Sequence, residues 1–133
     1  MTQAHFSLEM KVRDYECDMQ GRVNNAVYQN YLEHARHEFL LSRQISFADL
    51  ARRGINLVVI RAELDYKLPL TSGESFVVDL HLERVSALRF VFSQEIRRTS
   101  DQKLVLAAKI LATAVNEQGQ PALPPEVVTL LAP

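Results

Sequence analysis

The sequence predicts an α+β fold, one long amphipathic helix lying across one face of a curved, mostly antiparallel sheet. Three observations predict it. Apolar residues recur at four-residue spacing over one long segment, they alternate with polar residues in four others while a fifth is apolar on both faces, and the order is one strand, the helix, then four strands. A sheet with one apolar face and a helix with one apolar stripe each need covering, and here each covers the other.

Phe6, Leu8, Met10 and Val12 alternate with Ser7, Glu9, Lys11 and Arg13, the pattern of a strand with one buried face. From Ala26 to about Arg43, Val27, Tyr31, Ala35 and Phe39 mark the buried stripe of the long helix, with Leu32 and Leu40 beside it. Asn24 or Asn25 is placed to cap it through a side-chain amide. Ser46 to Arg53 reads as a short second helix, with Ser46 and Asp49 as a capping pair and Gly54 as its stop. Ile55 to about Lys67 opens with the run Leu57-Val58-Val59-Ile60, then alternates Ala62, Leu64 and Tyr66 against Arg61, Glu63 and Asp65 until Pro69 ends it. Thr71 to Glu74 turns the chain. Phe76, Val78, Leu80 and Leu82 form the next strand, and Leu88, Phe90, Phe92 and Ile96 the one after. Leu104 to Val115 is apolar on both faces, which predicts a strand inside the sheet. Three prolines, Pro121, Pro124 and Pro125, precede a last helical turn or two. No boundary interrupts residues 1–133, so a single domain is expected.

At 133 residues the chain is long enough to bury about two-thirds of its unfolded surface. Fifteen Lys and Arg oppose sixteen Asp and Glu, and no basic run tracks a phosphate backbone, so nucleic acid is not an expected partner. Cys17 is the only cysteine, which rules out a disulfide within the chain. No stretch approaches the ~18 consecutive apolar residues of a membrane span. Met1 to His5 carry neither a basic segment nor an apolar core, so no signal peptide is expected and a reducing cytoplasm fits best.

The chemistry is expected in Tyr15-Glu16-Cys17-Asp18-Met19-Gln20-Gly21-Arg22-Val23-Asn24-Asn25, between the first strand and the long helix. Asp18 stands three residues before Gly21. A carboxylate there can act as general base or nucleophile, while first-turn N–H groups hold an oxyanion; equally, it can cap the helix or order a turn. Cys17 is read as structural, because its neighbours Glu16 and Asp18 disfavour a thiolate. Glu33, His34, His37 and Glu38 crowd the helix without metal-ligand spacing, so no metal and no cofactor are expected. There is no GxSxG elbow, and neither Gly54 nor Gly73 belongs to a phosphate-cradling loop. Arg84, Ser86 and Arg89 can bind an anionic ligand arm or merely solvate a turn. Arg61 can pair with Glu63, Asp65 or Asp79, or face a ligand.

Residues Val12 to Tyr31, with Asp18, Gly21 and Val23-Asn24-Asn25-Ala26-Val27-Tyr28 at their centre, resemble the motif of hotdog-fold thioesterases of the 4-hydroxybenzoyl-CoA type. Val59 to Pro69 and Gly73-Glu74 are similar to that family's second strand and following turn. Within the family, the Asn24–Tyr28 segment and His37-Glu38-Phe39-Leu40 look closest to plant acyl-lipid thioesterases, the methylketone-synthase type among them, and their bacterial relatives. The resemblance implies the hotdog fold, a curved antiparallel sheet wrapped around one long central helix, with a homodimer whose sheet continues across the interface, or a tetramer, and active sites between subunits. It matches Asp18 to the catalytic carboxylate. Asn25 falls where many relatives carry His or Tyr, and the backbone N–H there polarises the thioester carbonyl, a role that survives any side-chain change.

The expected activity is therefore release of free acid from a fatty acyl or 3-oxoacyl thioester on acyl carrier protein or coenzyme A. An aromatic or short-chain acyl-CoA substrate and a non-catalytic acyl-thioester binding module are the alternatives. Tyr28, Tyr31 and Val59, within the Leu57 to Ile60 segment, are candidates for the acyl tunnel, and Arg61 for a further substrate contact. Arg84, Ser86 and Arg89 are those for the phosphopantetheine or nucleotide arm.

Overall fold

A computed structural model describes residues 4–132. The first three residues, part of the segment read as lacking a signal peptide, and residue 133 lie outside the described residues. The strands are β1 (Ala4–Lys11), β2 (Asn56–Tyr66), β3 (Ser75–Arg84), β4 (Phe90–Arg98) and β5 (Leu104–Val115). The helices are α1 (Asn25–Ser42), α2 (Phe47–Arg52) and α3 (Pro125–Leu131). All strands join one sheet in the order β1-β3-β4-β5-β2, and every pairing is antiparallel.

Side chains of even number on β3 and β4 face the helix layer. Phe76, Val78, Leu80 and Leu82 alternate in burial along β3, as do Phe90, Phe92, Gln94 and Ile96 along β4. Against them α1 sets Tyr31, Leu32, Ala35 and Phe39, none more than 2% exposed. Val127 and Leu131 bring α3 into the same core. Burying an aromatic or aliphatic side chain of this kind contributes about 1.5–3 kcal/mol. The opposite sheet face is polar, with His5, Ser7, Asp79, His81, Ser93, Glu95 and Lys109 in cross-strand register.

Several expectations shift. Asn24 occupies the position before α1, but neither it nor Asn25 caps the helix through its side chain. The entry is fixed by main chain instead, with Asn24 N–H donating to the Glu16 carbonyl at 3.1 Å. Ser46 does cap α2, accepting from Asp49 N–H, and Gly54 follows with φ of 74°. Leu88 lies in the exposed β3–β4 turn and not in the strand, because Val85 and Ser86 N–H groups both close onto the Arg89 carbonyl. β5 is an interior strand, as its two apolar faces require.

The apolar opening of β2 belongs to a sheet edge. Val59 is 50% and Ile60 46% exposed. A bulge between Val59 and Arg61 leaves Ile60 without a partner on β5. The extra residue inverts the alternation, so that Val59 opposite Ala112 shares the helix-side face while Arg61 opposite Leu111 takes the outer one. Arg61 there pairs with Glu63 at 3.4 Å, on the open surface.

Candidate active site

The loop before α1 is a small hairpin clamped to the rest of the molecule. Cys17 bridges Val23, Arg22 bridges Thr71, and Val23 N–H donates to the Leu70 carbonyl. Within it, Asp18 N–H donates to the Arg22 carbonyl at 2.8 Å and Gly21 N–H to the Asp18 carbonyl at 3.0 Å. Gly21 has φ of 80°, a left-handed conformation that any Cβ disfavours. Asp18 Oδ1 accepts from Gln20 N–H at 2.9 Å and from Arg22 N–H at 3.1 Å. The carboxylate therefore orders its own turn through one oxygen and presents the other to solvent. The structural and chemical roles left open by the sequence are compatible, because they use different atoms.

This turn faces the N-terminus of α1 across a cleft of about 320 Å³ that holds Asp18, Gln20, Arg22, Asn25, Tyr28, Tyr66 and Lys67–Pro69. The first N–H groups of a helix have no acceptor within it and carry partial positive charge, so the main chain at Asn25 can accept a negative charge in the cleft. Two tyrosines fix that end of the helix. Tyr66 donates to the Asn25 carbonyl at 3.3 Å and packs edge-on to Tyr28, whose hydroxyl accepts from Leu70 N–H at 2.9 Å. Burial raises the Tyr28 pKa above its usual 10, which keeps it neutral. Burial, then the charges of Asp14, Asp18 and Glu16, also raises that of Cys17, which leaves no thiolate at neutral pH.

The predicted residues are only partly brought together. Asp18, Gly21, Asn25 and Tyr28 meet at the cleft or in its turn. Tyr31 does not line it; its hydroxyl donates to the buried Glu16 carboxylate at 2.7 Å beneath the hairpin. Arg84, Ser86 and Arg89 lie at the other end of the sheet, since β3 starts beside the hairpin at Ser75 and runs ten residues, about 30 Å, to Arg84. Arg84 there donates to the Ser86 and Ala87 carbonyls at 3.0 and 2.8 Å. Val59 and Arg61 sit midway along β2, on opposite faces. Sequence reasoning missed Tyr66 and Glu16 as parts of the site. Tyr66 reads as one more apolar tooth of a strand, and no spacing signals that Glu16 lies under Tyr31.

A larger concavity, about 560 Å³, lies on the polar outer sheet face among Glu63, Asp79, His81, Ser93 and Lys109. It has no helix terminus and is remote from Asp18. Among the described residues no three His, Cys, Asp or Glu side chains are grouped to hold a metal ion.

A curved five-stranded antiparallel sheet around one helix, with a carboxylate turn opposite that helix's N-terminus, defines a hotdog-fold domain. Residues 12–130 match the model of the Thioesterase-like superfamily, and the chain belongs to that family. It is 40% identical over 121 residues to a chloroplastic acyl-acyl carrier protein thioesterase of Arabidopsis thaliana, covering 91% of this chain and 63% of the plant protein. The chain thus spans less than two-thirds of that relative's length. It is 28% identical over 115 residues to the long-chain acyl-CoA thioesterase FadM of Escherichia coli, covering 86% of each. Among solved structures, a hypothetical protein of Aquifex aeolicus superimposes with a TM-score of 0.88 at 31% identity, covering 96% of this chain and 99% of that one. A 1,4-dihydroxy-2-naphthoyl-CoA thioesterase from Synechocystis shares the fold, with a TM-score of 0.92 at 23% identity and 96% coverage of both chains.

Proposed function

We propose that the protein hydrolyses acyl thioesters, with Asp18 activating water and the N–H of Asn25 holding the oxyanion. The supporting observation is that Asp18 and the start of α1 face one cleft. The free Asp18 oxygen takes a proton from water as the hydroxide adds to the thioester carbonyl. Charge then develops on the carbonyl oxygen beside the Asn25 N–H. Collapse breaks the carbon–sulfur bond, and the departing sulfur takes the proton from Asp18, giving free acid and thiol. Direct attack by Asp18 to form a transient anhydride, opened by water, gives the same products.

The relatives act on acyl-acyl carrier protein and long-chain acyl-CoA, which supports a fatty acyl thioester on either carrier; the 3-oxoacyl form is a variant of that class. A homodimer joined through β2 supports the site further. β2 is an edge strand with exposed Val59, Ile60 and Tyr66, and unpaired edges of this kind seek a second strand. Antiparallel pairing of two copies would set the Asn56 end of one β2, which neighbours Arg89, beside the Tyr66 end of the other. Arg84, Ser86 and Arg89 would then serve the second copy's cleft as contacts for the carrier arm, and pairing of dimers into tetramers would leave it unaltered. The single thiol, Cys17, supports a reducing compartment such as the cytoplasm.

The test is thiol release from acyl-carrier and acyl-CoA thioesters by wild type and Asp18→Asn. Loss of about 10²–10⁴-fold is expected in the variant. Undiminished turnover by Asp18→Asn would sink the proposal.

A further inference from the structure

Three separate hollows lie along the seam between α1 and the edge strand β2. The first is the Asp18 cleft. The second, about 230 Å³, lies between Gln29 and Leu32 of the helix and Val59 and Ala62 of the strand. The third, about 60 Å³, sets Leu40, Phe47, Phe90 and Phe92 beside the charged and polar Glu33 and His37. Helix numbers rise and strand numbers fall from one hollow to the next, so the three lie in line away from Asn25.

Arg36 borders both the second and the third hollow. It is partly buried, its Nη1 donating to Gln94 Oε1 at 3.0 Å and its guanidinium 5.9 Å above the Phe92 ring. Gln94 is 1% exposed and is itself fixed, its Nε2 donating to the Leu32 carbonyl at 3.0 Å. Burial lowers the Arg36 pKa, and Glu33, which lines the same two hollows, acts in the opposite direction; among the described residues no carboxylate reaches ion-pair distance of the guanidinium. A partly desolvated cation whose direct hydrogen-bond partner is neutral is costly to hold there.

We propose that Arg36, clamped by Gln94, ends the acyl channel and sets the length of acyl chain the protein accepts, an inference that rests on the thioester reading above. The sheet wall of the seam, with Val59, Ala62 and Ile110, suits an alkyl tail, whereas Gln20, Arg22 and Lys67 at the mouth suit the amides of a carrier arm. Eleven residues separate Asn25 from Arg36, about 16 Å of helix. The arginine side chain leans back toward the helix N-terminus, which shortens the usable span by up to about one turn. What remains accommodates roughly eight to twelve extended carbon–carbon bonds. A chain end that goes further meets a guanidinium and gains no apolar contact.

The experiment is calorimetric binding of S-alkyl-coenzyme A thioethers, which cannot be cleaved, with alkyl chains of increasing length. Each methylene buried improves affinity about fourfold. Wild type is expected to tighten stepwise and then stop gaining at roughly ten carbons. Arg36→Met, checked for folding by circular dichroism, is expected to go on tightening for several further methylenes, and Arg36→Lys to keep the wild-type break. Uninterrupted tightening in wild type, an unchanged break in Arg36→Met, or no binding at any length overturns the proposal. Thiol release from the matching thioesters separates the two ideas: a break without hydrolysis refutes only the reaction, and hydrolysis without a break refutes only the ruler.

Discussion

The Tyr31 hydroxyl donates to Glu16 Oε1 at 2.7 Å across fifteen residues of chain, joining the buried stripe of α1 to the base of the Asp18 hairpin. Glu16 is 9% exposed and accepts also from Arg13 N–H at 2.8 Å and from the Arg13 guanidinium at 3.3 Å. Its carbonyl takes the Asn24 N–H. One residue thus holds both walls of the cleft, the turn with Asp18 and the first residue ahead of α1.

Tyr31→Phe removes a donor from a buried carboxylate and is expected to destabilise the fold by about 1.5–3 kcal/mol. Burial, then the hydrogen bond to Glu16, raises the Tyr31 pKa well above its usual 10. A phenol with a raised folded-state pKa stabilises fully below its unfolded value, and that contribution is lost as pH rises through the folded one. Wild-type stability is therefore expected to decline from about pH 10 upward, and less steeply in Tyr31→Phe. Urea melts of both proteins between neutral and alkaline pH check this; parallel curves would refute it.

Asp18 orders its turn through one oxygen, and the proposed chemistry would use the other. Asp18→Asn keeps an acceptor for the Gln20 and Arg22 N–H groups, whereas Asp18→Ala removes it. Both variants are expected to lose hydrolysis, but only the alanine should lose stability, by about 1 kcal/mol. Gly21→Ala is a third comparison. A Cβ there meets nothing within 4 Å, so its cost is the left-handed backbone alone, about 1–2 kcal/mol. Thermal melts and thiol-release assays on the three proteins distinguish these effects.

What the sequence made legible follows from what periodicity measures. The alternation of Phe76, Val78, Leu80 and Leu82, and the stripe through Tyr31, Ala35 and Phe39, report burial directly, and those elements stand where they were expected. Periodicity does not report which strands are neighbours. The Leu57 to Ile60 run looks like buried sheet, yet β2 is an edge, because its position depends on strand order and on a bulge at Ile60. Asp18, Gly21 and Asn25 were legible because their motif is local. Tyr66, Glu16 and the separation of Arg84 from Asp18 by the length of β3, about 30 Å, were not, because each depends on long-range register.

Ile60 offers the cleanest probe of the β2 edge. It is 46% exposed, has no partner on β5 and belongs to no hydrogen-bonded pair that a substitution would break. Ile60→Lys places a charge where a second copy would pack, while the monomer keeps its core. Sedimentation velocity is expected to show a dimer or larger assembly for wild type and a monomer for the variant, with unchanged circular dichroism. Equal sedimentation of the two proteins would argue that the chain associates elsewhere.

His37 should make stability fall in mild acid. Its ring packs 4.2 Å from that of Phe47 beside the third hollow, and burial lowers its pKa below the usual 6.5, with Arg36 and His34 acting in the same direction against Glu33 and Glu38. The folded state thus favours the neutral ring. Below pH 6.5 the unfolded chain binds this proton more readily than the folded one, so the stabilisation present above that value is lost as pH falls. His37→Gln cannot bind the proton, and its melting temperature is expected to fall less than wild type's between about pH 6.5 and 5. Thermal melts at the two pH values measure this, and identical pH dependence in the two proteins would remove His37 from the account.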